Sequence, residues 1–134
     1  RQANTNLETA QWFNSRVNNK IFIGWIPVFY FYASYHYLAA LLTIKNILVP
    51  QNHSGYFDVD KNWVQGTNDL AIKHLPDSVS KLYKALHTYA VNARYLPKVY
   101  ELYCNNGVNK TAKNYCDQVR KYVETELPKV IKRK

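Results

Sequence analysis

Acidic residues are scarce in this chain: nine Asp and Glu stand against eighteen Lys and Arg in 134 residues, a formal charge of +9. Such an excess points to a polyanionic partner, most often nucleic acid. The plain alternative is a solvated, lysine-rich helix surface. Cysteine is scarce as well. Cys104 and Cys116 are too few for a disulfide scaffold, and neither has a Cys or His neighbour in metal-ligand spacing. No zinc site is expected, and Cys116 should pack as a small hydrophobe. Four glycines and five prolines are too few for a linker-rich chain. No stretch alternates at period two for long, and there is no internal repeat or low-complexity tract. A Gly-rich phosphate loop, a Ser-His-Asp order and a His-Glu metal motif are all missing, so neither metal nor cofactor is expected. The start "RQANTNLETAQ" is polar and lacks a signal-peptide pattern. A cytoplasmic location is expected, and Arg1 in place of methionine suits a trimmed or processed chain.

Aromatics and uncharged runs are what the chain has in quantity. Tyrosine occurs 12 times, and apolar residues make up 47% of the chain, which suits one globular domain over residues 1–134. Residues 21–44, "IFIGWIPVFYFYASYHYLAALLTI", carry no charge and are long enough to cross a bilayer. Against a span stand Pro27, Ser34, His36 and the tyrosines at 30, 32, 35 and 37, whose polar atoms would face lipid. The central helix of a bundle, covered on every face, is the expectation, ending before Pro50.

Ahead of it, Thr5 or Asn6 is a possible N-cap for a first helix with Leu7, Ala10, Trp12 and Phe13 on its apolar face. "VPQNHSGYFDVDKN" reads as a loop. "KNWVQGTNDLAIKHLPD", residues 61–77, is expected to hold a short helix or two, broken at Gly66 and Pro76. Val79, Leu82, Tyr83, Leu86, Tyr89, Ala90 and Ala93 recur at helical spacing, with Asp77 or Ser78 as cap and Pro97 at the end. A short helix over 97–107 follows. The last stripe holds Val108, Ala112, Tyr115, Cys116, Val119, Tyr122, Val123 and Leu127; Pro128 should bend or end it, leaving a basic tail over 128–134. The fold class is all-α, a single-domain up-and-down bundle of about five helices.

The stretch "YASYHYLAALLTIKNILVPQNHSG", residues 32–55, resembles the second helix and following loop of the small prokaryotic HEPN-domain proteins. Tyr32, Ala33, His36, Ala40, Leu41 and Leu42 match the helix, and Pro50, His53, Ser54 and Gly55 match the loop. Residues 80–97 and 111–127 are similar to later helices of that family, so the resemblance spans roughly residues 10–127. It implies a helical bundle that dimerises, or assembles further, and acts on RNA, a nucleotide, or a toxin–antitoxin or defence partner, including a nucleotidyltransferase-type antitoxin. Ribonuclease members of the family carry an arginine followed four to six residues later by a histidine. Aligned on Ala93 and Tyr95, those two positions fall here on Ala90 and Tyr95. Alanine cannot stabilise a developing charge, and tyrosine is a poor general base at neutral pH. The resemblance therefore implies a binding protein that has lost the usual cleavage.

Four residues are candidates for a cleft: His36, His53, His87 and Tyr95. A lone histidine such as His36 on an uncharged helix is more often a hydrogen-bonded core residue. For His53 with Ser54 and Gly55 the favoured reading is a capping turn, in which Ser54 bonds the backbone and Gly55 takes positive φ. Lys81, Lys84, Arg94, Lys98, Lys110, Lys113, Arg120 and Lys121 are candidate phosphate contacts, which position a backbone without reading sequence. Two alternatives stay open. One is a divergent ribonuclease using His87 with Arg94 or Tyr95. The other is a structural nucleoprotein, such as a capsid or DNA-packaging subunit of an archaeal filamentous virus, which would place the protein in a virion. A membrane location is the least expected.

Overall fold

Residues Ile26–Ile44 of the uncharged run become a central helix. In the computed structural model, which describes residues 1–16, 24–96 and 107–132, the chain forms α1 (Gln2–Arg16), α2 (Ile26–Ile44), β1 (Tyr56–Phe57), β2 (Trp63–Val64), α3 (Thr67–His74), α4 (Asp77–Tyr95) and α5 (Val108–Ile131). The described residues make an all-α bundle with one very small antiparallel hairpin, in which Tyr56 pairs with Val64 and Phe57 with Trp63. The expected helix over 97–107, with Lys98 and Cys104, lies outside the described residues.

Helix α2 packs against α1, α4 and α5, while α4 packs also against α5 and α3. Its mixed stripe is the reason. Ile26, Val28, Tyr30, Phe31, Ala33, Ser34, Tyr37, Leu38, Leu41 and Leu42 are all buried and cover more than half of the helix circumference. The remaining face, with Tyr32, His36, Ala40 and Thr43, is partly or fully exposed, so the helix is not covered on every face as expected. Pro27 sits in the first turn, where no backbone N–H is needed. Among the described residues no helix is long and apolar enough to cross a membrane. The α5 stripe buries Val108, Ala112, Cys116, Val119 and Val123 at three- and four-residue spacing. Burial pushes the Cys116 thiol up to about 11, as expected of a cysteine that packs as a hydrophobe.

Several boundaries differ from the expectations. Helix α1 starts at Gln2, ahead of Thr5 and Asn6; the Thr5 hydroxyl donates to the Arg1 carbonyl and caps nothing. Helix α2 stops at Ile44, well before Pro50, because Asn46 turns left-handed at φ 58°. The Asn46 N–H donates to Thr43 O and the Ile47 N–H to Leu42 O, so two orphan carbonyls are satisfied by the backbone itself. Helix α4 begins at Asp77 with Pro76 in the N-cap, so neither Asp77 nor Ser78 caps it. Pro128 does not end α5, which runs on to Ile131. A proline there loses only one late hydrogen bond, on a turn whose neighbouring Lys129 is solvated. The loop expected over residues 49–62 contains the first strand of the hairpin. Two-residue strands are too short for alternation to be visible.

Candidate functional site

Residues 52–55 are clamped to the start of α3. The Thr67 N–H donates to Asn52 O at 3.0 Å and the Asn68 N–H to His53 O at 2.8 Å. These are first-turn donors of a helix, which have no partner inside it. The same turn is capped by Asp69, whose carboxylate accepts from the Gly66 N–H at 2.9 Å. Gly66 is needed for the close approach: a Cβ there would lie 2.4 Å from the Ser54 carbonyl carbon. Gly55 is needed for a similar reason, since a Cβ would lie 2.2 Å from the Trp63 indole. The expected turn, with positive φ at Gly55, is therefore replaced by a loop held through backbone carbonyls; Gly107 is the glycine at positive φ.

The clamp sets His53 over Phe31 of α2, with ring centroids 5.0 Å apart in a T-shaped contact. From α4, His87 lies 5.0 Å from the same ring. The two imidazoles are thus 5.5 Å apart across Phe31. Each is held at Nδ1, His53 by the Thr67 hydroxyl at 3.2 Å and His87 by the Asn68 amide, also at 3.2 Å. Among the described residues neither Nε2 takes part in a hydrogen bond. If the Asn68 NH2 donates to His87 Nδ1, as assigned, then His87 carries its proton on Nε2. The Asn68 Oδ1 is buried and unpartnered among the described residues, an acceptor that a ligand hydroxyl would satisfy.

Arg94 completes the cluster. Its Nε donates to Ala90 O at 3.1 Å and its Nη1 to the Tyr32 hydroxyl at 3.2 Å. The guanidinium carbon lies 5.8 Å from the centroid of the Tyr32 ring and 5.4 Å from that of the Tyr95 ring. Among the described residues no carboxylate lies within 4 Å of it. Its charge is felt by both histidines. Burial is the main cause that lowers the His53 imidazole below its ordinary value, with Arg94 adding to it. Burial also leads for His87, followed by His53 and then Arg94. Both rings therefore favour the neutral form near pH 7.

Of the four expected cleft residues, the structure brings together His53 and His87, joins Arg94 to them, and leaves Tyr95 70% exposed as a lid on the guanidinium. His36 stands apart. It lines a different cavity, of about 400 Å³, with Asn4, Tyr37 and Glu124. Burial lowers its imidazole. The lysines do not converge on the cluster. Lys81 pairs with Asp77, and Lys113 and Arg120 share Asp117. Lys84, Lys110 and Lys121 are exposed and scattered along α4 and α5. Sequence reasoning missed Phe31, Tyr32, Thr67 and Asn68 as partners of the cluster. The Gly-Thr-Asn run at 66–68 was the one available signal, marking a helix start whose free N–H groups could anchor a loop.

Among the described residues, no group of three His, Cys, Asp or Glu could hold a metal ion. The chain matches no protein-family model, no curated protein and no solved structure.

Proposed function

We propose that this protein binds the phosphate of a nucleotide or single-stranded RNA at the His53–His87–Arg94 cluster, without cleaving it. The convergence of two imidazoles and an uncompensated guanidinium on one aromatic floor carries the proposal. A half-buried cation with no carboxylate partner is costly alone, and an oxyanion is the natural group to offset it. Two neutral imidazoles held at Nδ1 can each present Nε2 to the same ligand. Arg94 also folds back over the Ala90 carbonyl. That is the turn where the resemblance to HEPN proteins would place an arginine, so the cation is displaced by one turn and not lost.

Binding is favoured over cleavage by charge. Transesterification of RNA needs one imidazole to accept the 2′-hydroxyl proton while a protonated second one donates to the leaving 5′-oxygen. Burial and Arg94 disfavour the protonated partner in both rings. The 5.5 Å spacing of the two rings nevertheless supports a second reading, a divergent ribonuclease using this pair, with activity confined to acidic pH.

Nuclear magnetic resonance (NMR) titration with inorganic phosphate and a short single-stranded RNA tests both. Both ligands are expected to move the His53 and His87 imidazole signals. Arg94→Gln is expected to weaken RNA binding about tenfold or more, the scale of a lost charge-assisted contact, and the RNA should stay intact at pH 7. Unmoved imidazole signals, or unchanged affinity in Arg94→Gln, would sink the binding proposal. Cleavage that rises toward pH 5 and vanishes in His87→Gln would establish the second reading instead.

A further inference from the structure

We infer that the surface cavity between the loop after α2 and the hairpin is a nucleobase subsite, which rests on the phosphate reading above and names the rest of its ligand. The cavity is about 290 Å³ and is lined by Leu48, Pro50, Gln51, Asn52, Tyr56 and Gln65 among others, none of them charged. That volume is at the lower end for ligand pockets, which run from roughly 300 Å³. It suits one flat ring system better than a whole nucleotide.

The lining chemistry narrows the occupant. Three side-chain amides supply donors and acceptors together, which match the mixed edge of a base. Tyr56 and Leu48 supply surfaces for its faces. Both stand well out in solvent, Leu48 at 90% exposure and Tyr56 at 47%, beside the same cavity. A second phosphate would meet no cation here, and a purely apolar ligand would leave the amides unpaired. Flat, neutral and polar-edged describes a base.

Position ties the cavity to the cluster. Asn52 lines it, and the next residue is His53, whose ring lies against Phe31. The carbonyls of both residues are fixed by the N–H groups of Thr67 and Asn68. One clamped loop thus serves both subsites, as one ribose joins a base to its phosphate.

NMR titration of the full chain with uridine, adenosine, their 5′-monophosphates and inorganic phosphate tests this. The uncharged nucleosides are expected to move the side-chain amide signals of Gln51, Asn52 and Gln65. A monophosphate is expected to bind about tenfold tighter than inorganic phosphate. Gln51→Leu with Gln65→Leu, both at exposed positions, should remove that advantage and leave inorganic phosphate binding unchanged. The subsite is refuted if nucleosides leave the amide signals still, or if the double variant binds monophosphates as the parent does. Should inorganic phosphate leave His53 and His87 unmoved while nucleosides still move the amides, the phosphate reading fails and the base subsite stands.

Discussion

Phe31 is the residue on which the cluster is built. It is fully buried, and His53, His87, Tyr83 and Tyr32 all lie within 6 Å of its ring centroid. Phe31→Ala should cost about 3–5 kcal/mol, because the rigid surroundings cannot collapse into the space. Urea unfolding checks this, and a loss below about 1 kcal/mol would show that the ring is not packed as described. Nothing in the sequence set Phe31 apart from Phe29 or Tyr30 beside it. Which aromatic lies under the histidines depends on the rotation of α2 against the loop, and an apolar run without a polar face does not specify that rotation. His53 was visible as a candidate, but its role was not. A His-Ser-Gly turn that caps a helix and a His-Ser-Gly loop that carries a ligand group have the same local pattern.

Two short segments decide how the elements are joined. Asn46 ends α2 in the left-handed region, where glycine has no penalty. Asn46→Gly is expected to leave thermal stability equal or slightly raised, and Asn46→Ala to lower it by about 1 kcal/mol. Equal melting temperatures for the two variants would contradict the assigned turn. Gly66 is the tighter constraint, because its neighbours at the contact are backbone atoms of residues 53–55 that cannot rotate away. Gly66→Ala should cost about 1–3 kcal/mol through forced backbone shifts. It should also weaken phosphate binding, since the displaced loop carries His53. A Gly66→Ala variant with parental stability and binding would show that the clamp is dispensable. The hairpin between these segments was not legible. Its register comes from Asp58, whose carboxylate accepts the N–H groups of Asp60 and Asn62, while Lys61 turns left-handed at φ 61°. Such a turn is a local choice that competes closely with open loop.

All four histidines have imidazoles lowered by burial, and that makes the molecule as a whole acid-sensitive. Below the ordinary value of 6.5, the unfolded chain binds protons that the folded chain refuses. Stability is therefore full above that value and is lost as pH falls through the lowered folded values. Unfolding free energy measured from pH 8 to pH 5 should be flat at first and then decline. His53→Gln and His87→Gln should each flatten part of the decline, and an unchanged slope in both would contradict their burial. Around these two rings the charged and titratable groups are Arg94 on α4, Asp69 on α3 and committed to the Gly66 N–H, and the phenols of Tyr32, Tyr35 and Tyr83. A bound phosphate reverses the balance by favouring the protonated rings. Its affinity should therefore rise over the same range in which the free protein weakens, and calorimetry in buffers of different ionisation enthalpy should show proton uptake.

Composition and periodicity determined the class of the fold. Stripes at three and four residues in α4 and α5, and an uncharged run too rich in tyrosine to suit lipid, admit little besides a helical bundle with α2 at its centre. These signals are local, repeat over several turns, and accumulate with length. The cluster of His53, His87 and Arg94 was decided by the tertiary structure. His53 and His87 are 34 positions apart and belong to no shared period. They meet because free N–H groups at the start of α3 capture a loop, and because α2 turns one particular ring toward it. Contacts of that kind depend on packing between elements, for which a single sequence has no repeating signal.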